Sequence, residues 1–172
     1  MRIIQNIVVF GLYLFLQVFL FNYFTLFGTE SPQVFLLFLL MLPWGLPFSV
    51  SILLAFLSGI LVDIFSTNLL LGGHAFSAVL MMALRDGWVK VITSKVTMRE
   101  DDDFEFSTQP ISWFVFFLGP LVFIYSLAYH IVDAFSFSQF HITIFRSFLG
   151  AFYSFVFCLS VAILFYRGGF KK

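Results

Sequence analysis

The sequence predicts an all-α polytopic membrane protein, folded as a six-helix transmembrane bundle with a short second helix. Apolar residues make up 61% of the 172 residues and charged residues only 10%, a balance that a soluble domain of this size cannot bury. The apolar residues also form runs of about 20, the length that crosses a bilayer as a helix. We therefore expect one integral membrane domain over residues 1–172, with spans at about 3–27, 31–42, 48–65, 74–91, 111–134 and 142–166.

The first predicted span, residues 3–27, is expected to be a permanent helix. It lacks the short apolar core and the small-residue cleavage site of a secretory signal. Gln17 lies near one helical face with Asn6 and Tyr13. We expect this face to look into the bundle, where amide side chains find hydrogen-bond partners.

The next apolar run, residues 34–65, is too long for one helix. At 1.5 Å per residue it would be about 48 Å long, against a hydrocarbon core of about 30 Å. Pro43 and Pro47 divide it, because proline ends or restarts a helix. The second span is consequently short and is expected to thin the bilayer locally or to lean on protein.

Residues 92–110 form the polar loop before the fifth span, and they include an acidic run at 99–105. This run lacks the glycine and ligand spacing of a calcium loop, so a solvated loop is the favoured interpretation. Gly119-Pro120 predicts a kink in the fifth span. In the sixth span, Ser147, Ala151, Ser154 and Cys158 form a stripe of small residues.

Basic residues at both chain ends predict the topology. Arg2 lies near one terminus, and Arg167, Lys171 and Lys172 lie near the other. The positive-inside rule places both termini in the cytoplasm, which requires an even number of spans and is satisfied by six. The loop over 92–110 is then cytoplasmic as well.

With this topology, a charge cluster is expected in the outer half of the membrane: His130, Asp133 and Arg146. Charged groups at membrane depth persist most readily when they are paired, so Arg146 is expected to pair with Asp133 or with its rival, Asp63. Two interpretations stay open for the cluster. It is either a structural ion pair that orders the helices or a site for a ligand or a proton.

Four residues spaced by four mark one face of the third span: Ser51, Ala55, Gly59 and Asp63. Small residues in such a stripe let a neighbouring helix approach closely in lipid. The carboxylate at the end of the stripe is expected to accept hydrogen bonds from the amides near Gly73 and His74, where the fourth helix begins. That contact would lock the hairpin between the third and fourth helices.

The same region carries a resemblance to a known family. It reads Gly59-x-x-x-Asp63, then Leu71-Gly72-Gly73-His74-Ala75-x-Ser77. This order resembles the signature region of the bacterial rod shape-determining protein family MreD. The chain departs from the family at Ser66-Thr67-Asn68, where many relatives have a glycine, and in its longer polar loop before the fifth helix.

The resemblance implies a non-enzymatic component of the cell-elongation machinery in the bacterial inner membrane. Such a protein associates with the bitopic protein MreC and with other membrane proteins of the elongation complex. Through MreC it is linked to the MreB filament and to peptidoglycan synthesis. The layout also resembles the substrate-binding subunits of energy-coupling-factor vitamin transporters. The alternative function is therefore that of a substrate-binding membrane subunit of a vitamin transporter.

Several function classes find no support in the sequence. The formal net charge of zero does not suggest a nucleic-acid partner. No G-x-S-x-G motif, phosphate-binding glycine loop or H-x-x-x-H spacing is present, so we expect no catalytic residue, no cofactor and no metal. The single cysteine, Cys158, excludes an intramolecular disulfide.

Overall fold

The computed structural model describes residues 31–43, 46–66, 71–93, 111–134 and 140–163, together with residues 11, 15 and 17. Within these ranges the regular structure is helical, without strands. The five helices are α1 (Phe35–Leu40), α2 (Phe48–Phe65), α3 (Gly73–Thr93), α4 (Ile111–Ala134) and α5 (Phe140–Ala162). Most of the predicted first span and most of the polar loop lie outside the described residues.

The described helices are arranged around the short helix α1. Helices α2, α3, α4 and α5 pack in chain order, each against the next, and α1 lies against α2, α3 and α5. The ring of Phe35 also meets that of Tyr125 in α4 edge-on, with 6.0 Å between centroids. All but one of the residues of α1 are buried, so this helix forms the centre of the hydrophobic core.

Three helical segments are long and apolar enough to cross a membrane: Phe48–Phe65, Ile111–Ala134 and His141–Ala162. Helix α3 is not among them, and its second half carries the charged residues Arg85, Asp86 and Lys90. Large apolar side chains cover the outer faces of the helices; Leu53 is 55%, Phe116 65% and Phe148 63% exposed. Apolar exposure on this scale is unfavourable in water, and a lipid environment removes that cost.

The predicted boundaries agree with the structure for 48–65 and 111–134, and α4 continues through Pro120. Helix α3 begins at Gly73, close to the predicted 74, and extends to Thr93, two residues into the predicted loop. Helix α5 begins at Phe140 instead of 142, and the predicted end at 166 lies outside the described residues.

The short second helix, Phe35–Leu40, is shorter than the predicted 31–42, and side chains from distant parts of the chain accept from the amides at its beginning. Gln17 Oε1 accepts the Val34 N–H at 2.7 Å and the Phe35 N–H at 3.3 Å. Ser154 Oγ of α5 accepts the Gln33 N–H at 3.0 Å. Gln17 therefore faces the inside of the protein as predicted, and it holds the beginning of α1.

Candidate functional site at the two ends of α3

Asp63 joins the end of α2 to the beginning of α3. Its carboxylate is buried, with Oδ1 accepting the His74 N–H at 3.1 Å and Oδ2 accepting the Ala75 N–H at 3.1 Å. The first amides of a helix have no partner within the helix, and the helix dipole is positive there. These two bonds confirm the predicted hydrogen bonding of Asp63 to the start of the following helix.

Gly59 lies one turn before Asp63 and brings the two helix backbones into contact. A Cβ atom at this position would stand 2.3 Å from the Cα of Ala75 and 2.9 Å from the carbonyl carbon of His74. Ser51 and Ala55 are buried as well. The stripe of small residues is thus covered within this chain, and at Gly59 by its own α3, so this face is not open to a partner helix.

The two glycines at the beginning of α3, Gly72 and Gly73, are needed for different physical reasons. Gly72 has a φ of +102°, which a residue with a side chain rarely adopts. Gly73 lies under the ring of Tyr129 in α4, where a Cβ would stand 3.3 Å from a ring carbon. Together they let the chain turn and let α3 begin close against α4.

His74 connects this end of α3 to α4 through aromatic rings. Its ring stacks on that of Tyr129, with 4.2 Å between centroids and 13° between planes. Its Nδ1 lies 2.5 Å from the hydroxyl oxygen of the buried Tyr125. We call His74, Tyr125 and Tyr129 the His74 cluster. The contact between Nδ1 and the hydroxyl gives two polar groups a partner, and either group would be costly to bury alone in an apolar interior.

His130, the first member of the predicted charge cluster, is buried next to the contact between α4 and α5. Its Nδ1–H donates to the carbonyl of Ser126 at 2.7 Å. The Ser126 hydroxyl donates in turn to the carbonyl of Ser147 in α5 at 2.8 Å. His130 therefore lies beside a helix–helix hydrogen bond.

Asp133 and Arg146, the other two members, do not form the predicted ion pair. Both side chains are exposed, and neither Asp133 nor Asp63 pairs with Arg146 in the part of the chain that the structure describes. Ser147, the next residue of α5, faces α4, because it is buried and its carbonyl accepts from Ser126. Arg146 lies about 100° around the helix from that contact, and the oxygens of Asp63 are already bonded to α3.

The other half of α3 holds α1 through Arg85, which was not among the predicted site residues. Arg85 is 2% exposed. Its Nε donates to the carbonyl of Leu40 at 3.1 Å, and Nη2 donates to the carbonyl of Leu42. Asp86 lies 3.6 Å from Nη1. Arg85 thereby binds carbonyls at the end of α1, which lack partners within the helix.

The sequence contains a signal for this role. Ala78, Met81 and Arg85 recur at spacings of three and four, and all three are buried in α3. A cation on the apolar face of a helix needs an acceptor from a neighbouring element. Identifying that acceptor as the end of α1 required the tertiary structure.

Trp88, one turn after Arg85, holds α4. Its indole N–H donates to the carbonyl of Phe116 at 3.0 Å. In an unbroken helix that carbonyl would accept from the residue four positions later, which is Pro120 and has no N–H. Trp88 supplies the missing donor. In the sequence, Pro120 within a predicted helix indicates that the carbonyl four residues earlier needs a donor from elsewhere.

In the described ranges, no group of three or more His, Cys, Asp and Glu side chains could hold a metal ion. The expectations of no metal and no cofactor stay predictions. Comparison of the chain with protein-family models, curated proteins and solved structures gave no significant match. The resemblance to MreD therefore rests on the residues of this chain alone.

Proposed function

We propose that this protein is a non-enzymatic component of the cell-elongation machinery in the bacterial inner membrane, as the resemblance to the MreD family implies. It would work as a membrane scaffold that associates with MreC. Through MreC it would connect the MreB cytoskeleton to peptidoglycan synthesis. Other membrane proteins of the elongation complex are further expected partners.

One observation carries the proposal: the residues of the resemblance meet in a single joint between α2 and α3. Gly59 allows the backbone contact, Asp63 binds the His74 and Ala75 amides, and Gly72 makes the turn. The joint uses its carboxylate to hold backbone, which is the role of a packing residue and not of an acid or a base. This supports a scaffold over a catalyst.

The same joint limits where a partner can bind. The stripe of Ser51, Ala55 and Gly59 is buried within the chain, so it cannot receive a helix of MreC while α3 is in place. We infer that the association uses the exposed apolar faces of the helices instead. A partner helix there would replace lipid, and the association would depend on close packing and interhelical hydrogen bonds.

We also propose the six-span topology with both termini in the cytoplasm, in a layout similar to the energy-coupling-factor subunits. The even number of spans depends on residues 31–42 crossing the membrane, although α1 has only six helical residues, about 9 Å of helix. Reporter fusions at Met1, Gln109 and Lys172 test this. All three should report cytoplasm, and a periplasmic Met1 with a cytoplasmic Lys172 would show an odd number of spans.

Removing the gene from its bacterial host tests the function. We expect rod-shaped cells to become round and to recover with the wild-type gene. Gly59→Leu should fail to restore shape, whereas Gly87→Ala, at a glycine with open space around it, should restore it. Normal shape after gene removal would contradict the proposal.

The alternative, a substrate-binding subunit of a vitamin transporter, would be supported by a different result. A purified sample would then carry a small molecule, and the cells would lose uptake of that molecule while keeping their shape. The aromatic rings of the His74 cluster are the part of the described chain that would suit a flat ligand. His74 Nδ1 and the Tyr125 hydroxyl already bond to each other, which favours the scaffold.

A further inference from the structure

Arg146 is a cation on an otherwise apolar and exposed part of α5. Ile142 is 40% exposed, Phe145 65% and Phe148 63%, and Arg146 is exposed among them. Its guanidinium group is a cation. A permanent charge on a lipid-facing surface is unfavourable unless an anion or water is within its reach.

The described part of the protein offers Arg146 no such anion. Asp63 is occupied by two amides of α3. Asp133 is exposed on α4 and does not pair with Arg146, which lies about 100° around α5 from Ser147, the residue that bonds to α4. The charge must therefore be neutralised from outside these helices.

The position of Arg146 along α5 decides what lies within reach. It stands six residues after Phe140, where the helix begins, which is about 9 Å along the axis. The Cα–Cβ bond of a helical residue tilts toward the helix N-terminus, and a long basic side chain near a helix end extends to the membrane surface. The guanidinium group thus reaches the headgroup level of the leaflet at the beginning of α5.

We propose that Arg146 binds the phosphate group of a membrane phospholipid in this leaflet. The guanidinium group presents N–H donors in a planar fork that matches two phosphate oxygens. Anionic lipids are favoured, because no protein carboxylate in the described part neutralises the charge and their net charge is opposite. The exposed rings of Phe145 and Phe148 then lie beside the acyl chains of the bound lipid.

The test is thermal unfolding of the purified full chain in a maltoside detergent with increasing phosphatidylglycerol. We expect the lipid to raise the Tm of the wild-type protein. Arg146→Gln should unfold like the wild type without lipid, since its side chain is exposed, and should lose most of the lipid-induced shift. Arg146→Lys should keep part of the shift, because an ammonium group still attracts phosphate. Lys90→Gln, which removes an exposed cation of α3, should keep the full shift.

Three outcomes would overturn the proposal. The first is a full lipid-induced shift in Arg146→Gln. The second is an equal shift with inorganic phosphate at the same concentration, which would assign the site to a free ion. The third is a wild-type protein that gains nothing from the lipid but loses a co-purifying acidic membrane protein on Arg146→Gln, which would assign Arg146 to a carboxylate of a partner helix.

Discussion

At its Gly73 end α3 meets α2 backbone to backbone, whereas its Arg85–Trp88 half reaches its neighbours through long side chains. The first contact has no room for a Cβ at Gly59, and Asp63 closes it with two hydrogen bonds. In the second, Arg85 and Trp88 donate to carbonyls of α1 and α4. The first arrangement depends on the absence of side-chain atoms and the second on their presence.

The two regions are expected to respond differently to substitutions. A backbone contact cannot relax without separating two helices, so a small added group has a large effect. A long side chain can adjust, and its loss leaves an unsatisfied carbonyl, for which a buried group costs about 1–3 kcal/mol.

Gly59→Ala is expected to destabilise the protein most, and Gly59→Leu should prevent folding. The added Cβ would stand 2.3 Å from the backbone Cα of Ala75, so α2 and α3 must move apart. Overpacking of this kind costs about 1–3 kcal/mol or more. Thermal unfolding in detergent measures it. Gly87→Ala is the matched control, because nothing lies within 4 Å of its Cβ position; equal stability of the two alanine variants would disprove the backbone contact.

Arg85→Met is expected to loosen α1 while leaving the Gly73 end intact. It removes the donors to the Leu40 and Leu42 carbonyls, at a cost of about 1–3 kcal/mol for buried acceptors. Hydrogen exchange over residues 35–42 should increase more than over residues 59–63. Arg85→Lys should recover part of the protection, and Lys90→Met, an exposed cation on the same helix, should change neither segment. Unchanged exchange in Arg85→Met would show that α1 does not depend on this residue.

Asp63→Ala is expected to cost about 0.5–2 kcal/mol, the usual range for losing a side chain that accepts from helix N-terminal amides. Asp63→Asn keeps one acceptor oxygen and should recover part of the stability. The measurement is chemical or thermal unfolding of both variants beside the wild type. If Asp63→Asn were no better than Asp63→Ala, the hydrogen bonds to His74 and Ala75 would not be what makes Asp63 stabilising.

Trp88→Phe and Pro120→Ala form a cycle with the smallest expected effect. Trp88→Phe removes the donor to the Phe116 carbonyl and should cost about 1 kcal/mol. Pro120→Ala restores a backbone N–H that can reach the same carbonyl, so Trp88→Phe should cost less in that background. The unfolding free energies of the four proteins give the coupling. Additive effects would show that the indole does not replace the missing backbone donor.

The sequence was sufficient where the determining interactions are local. The prolines at 43 and 47 divide the long apolar run, and α2 begins at the predicted residue 48. The bond of Asp63 to the His74 amide joins residues only 11 apart, so a carboxylate at one helix end and a helix beginning soon after were enough to predict it. The burial of Ser51, Ala55 and Gly59 also follows from periodicity alone.

Only the tertiary structure showed which elements meet over long distances in the chain. Arg85 binds a carbonyl 45 residues away, and Ser154 binds an amide 121 residues away. Periodicity predicts that a side chain is buried but not which helix covers it. For this reason the small-residue stripe was predicted correctly as a contact, while its covering by α3 rather than a partner was not. The surroundings of Arg146 have the same cause: its position along α5 follows from the sequence, but what lies beside that helix face depends on how the helices pack.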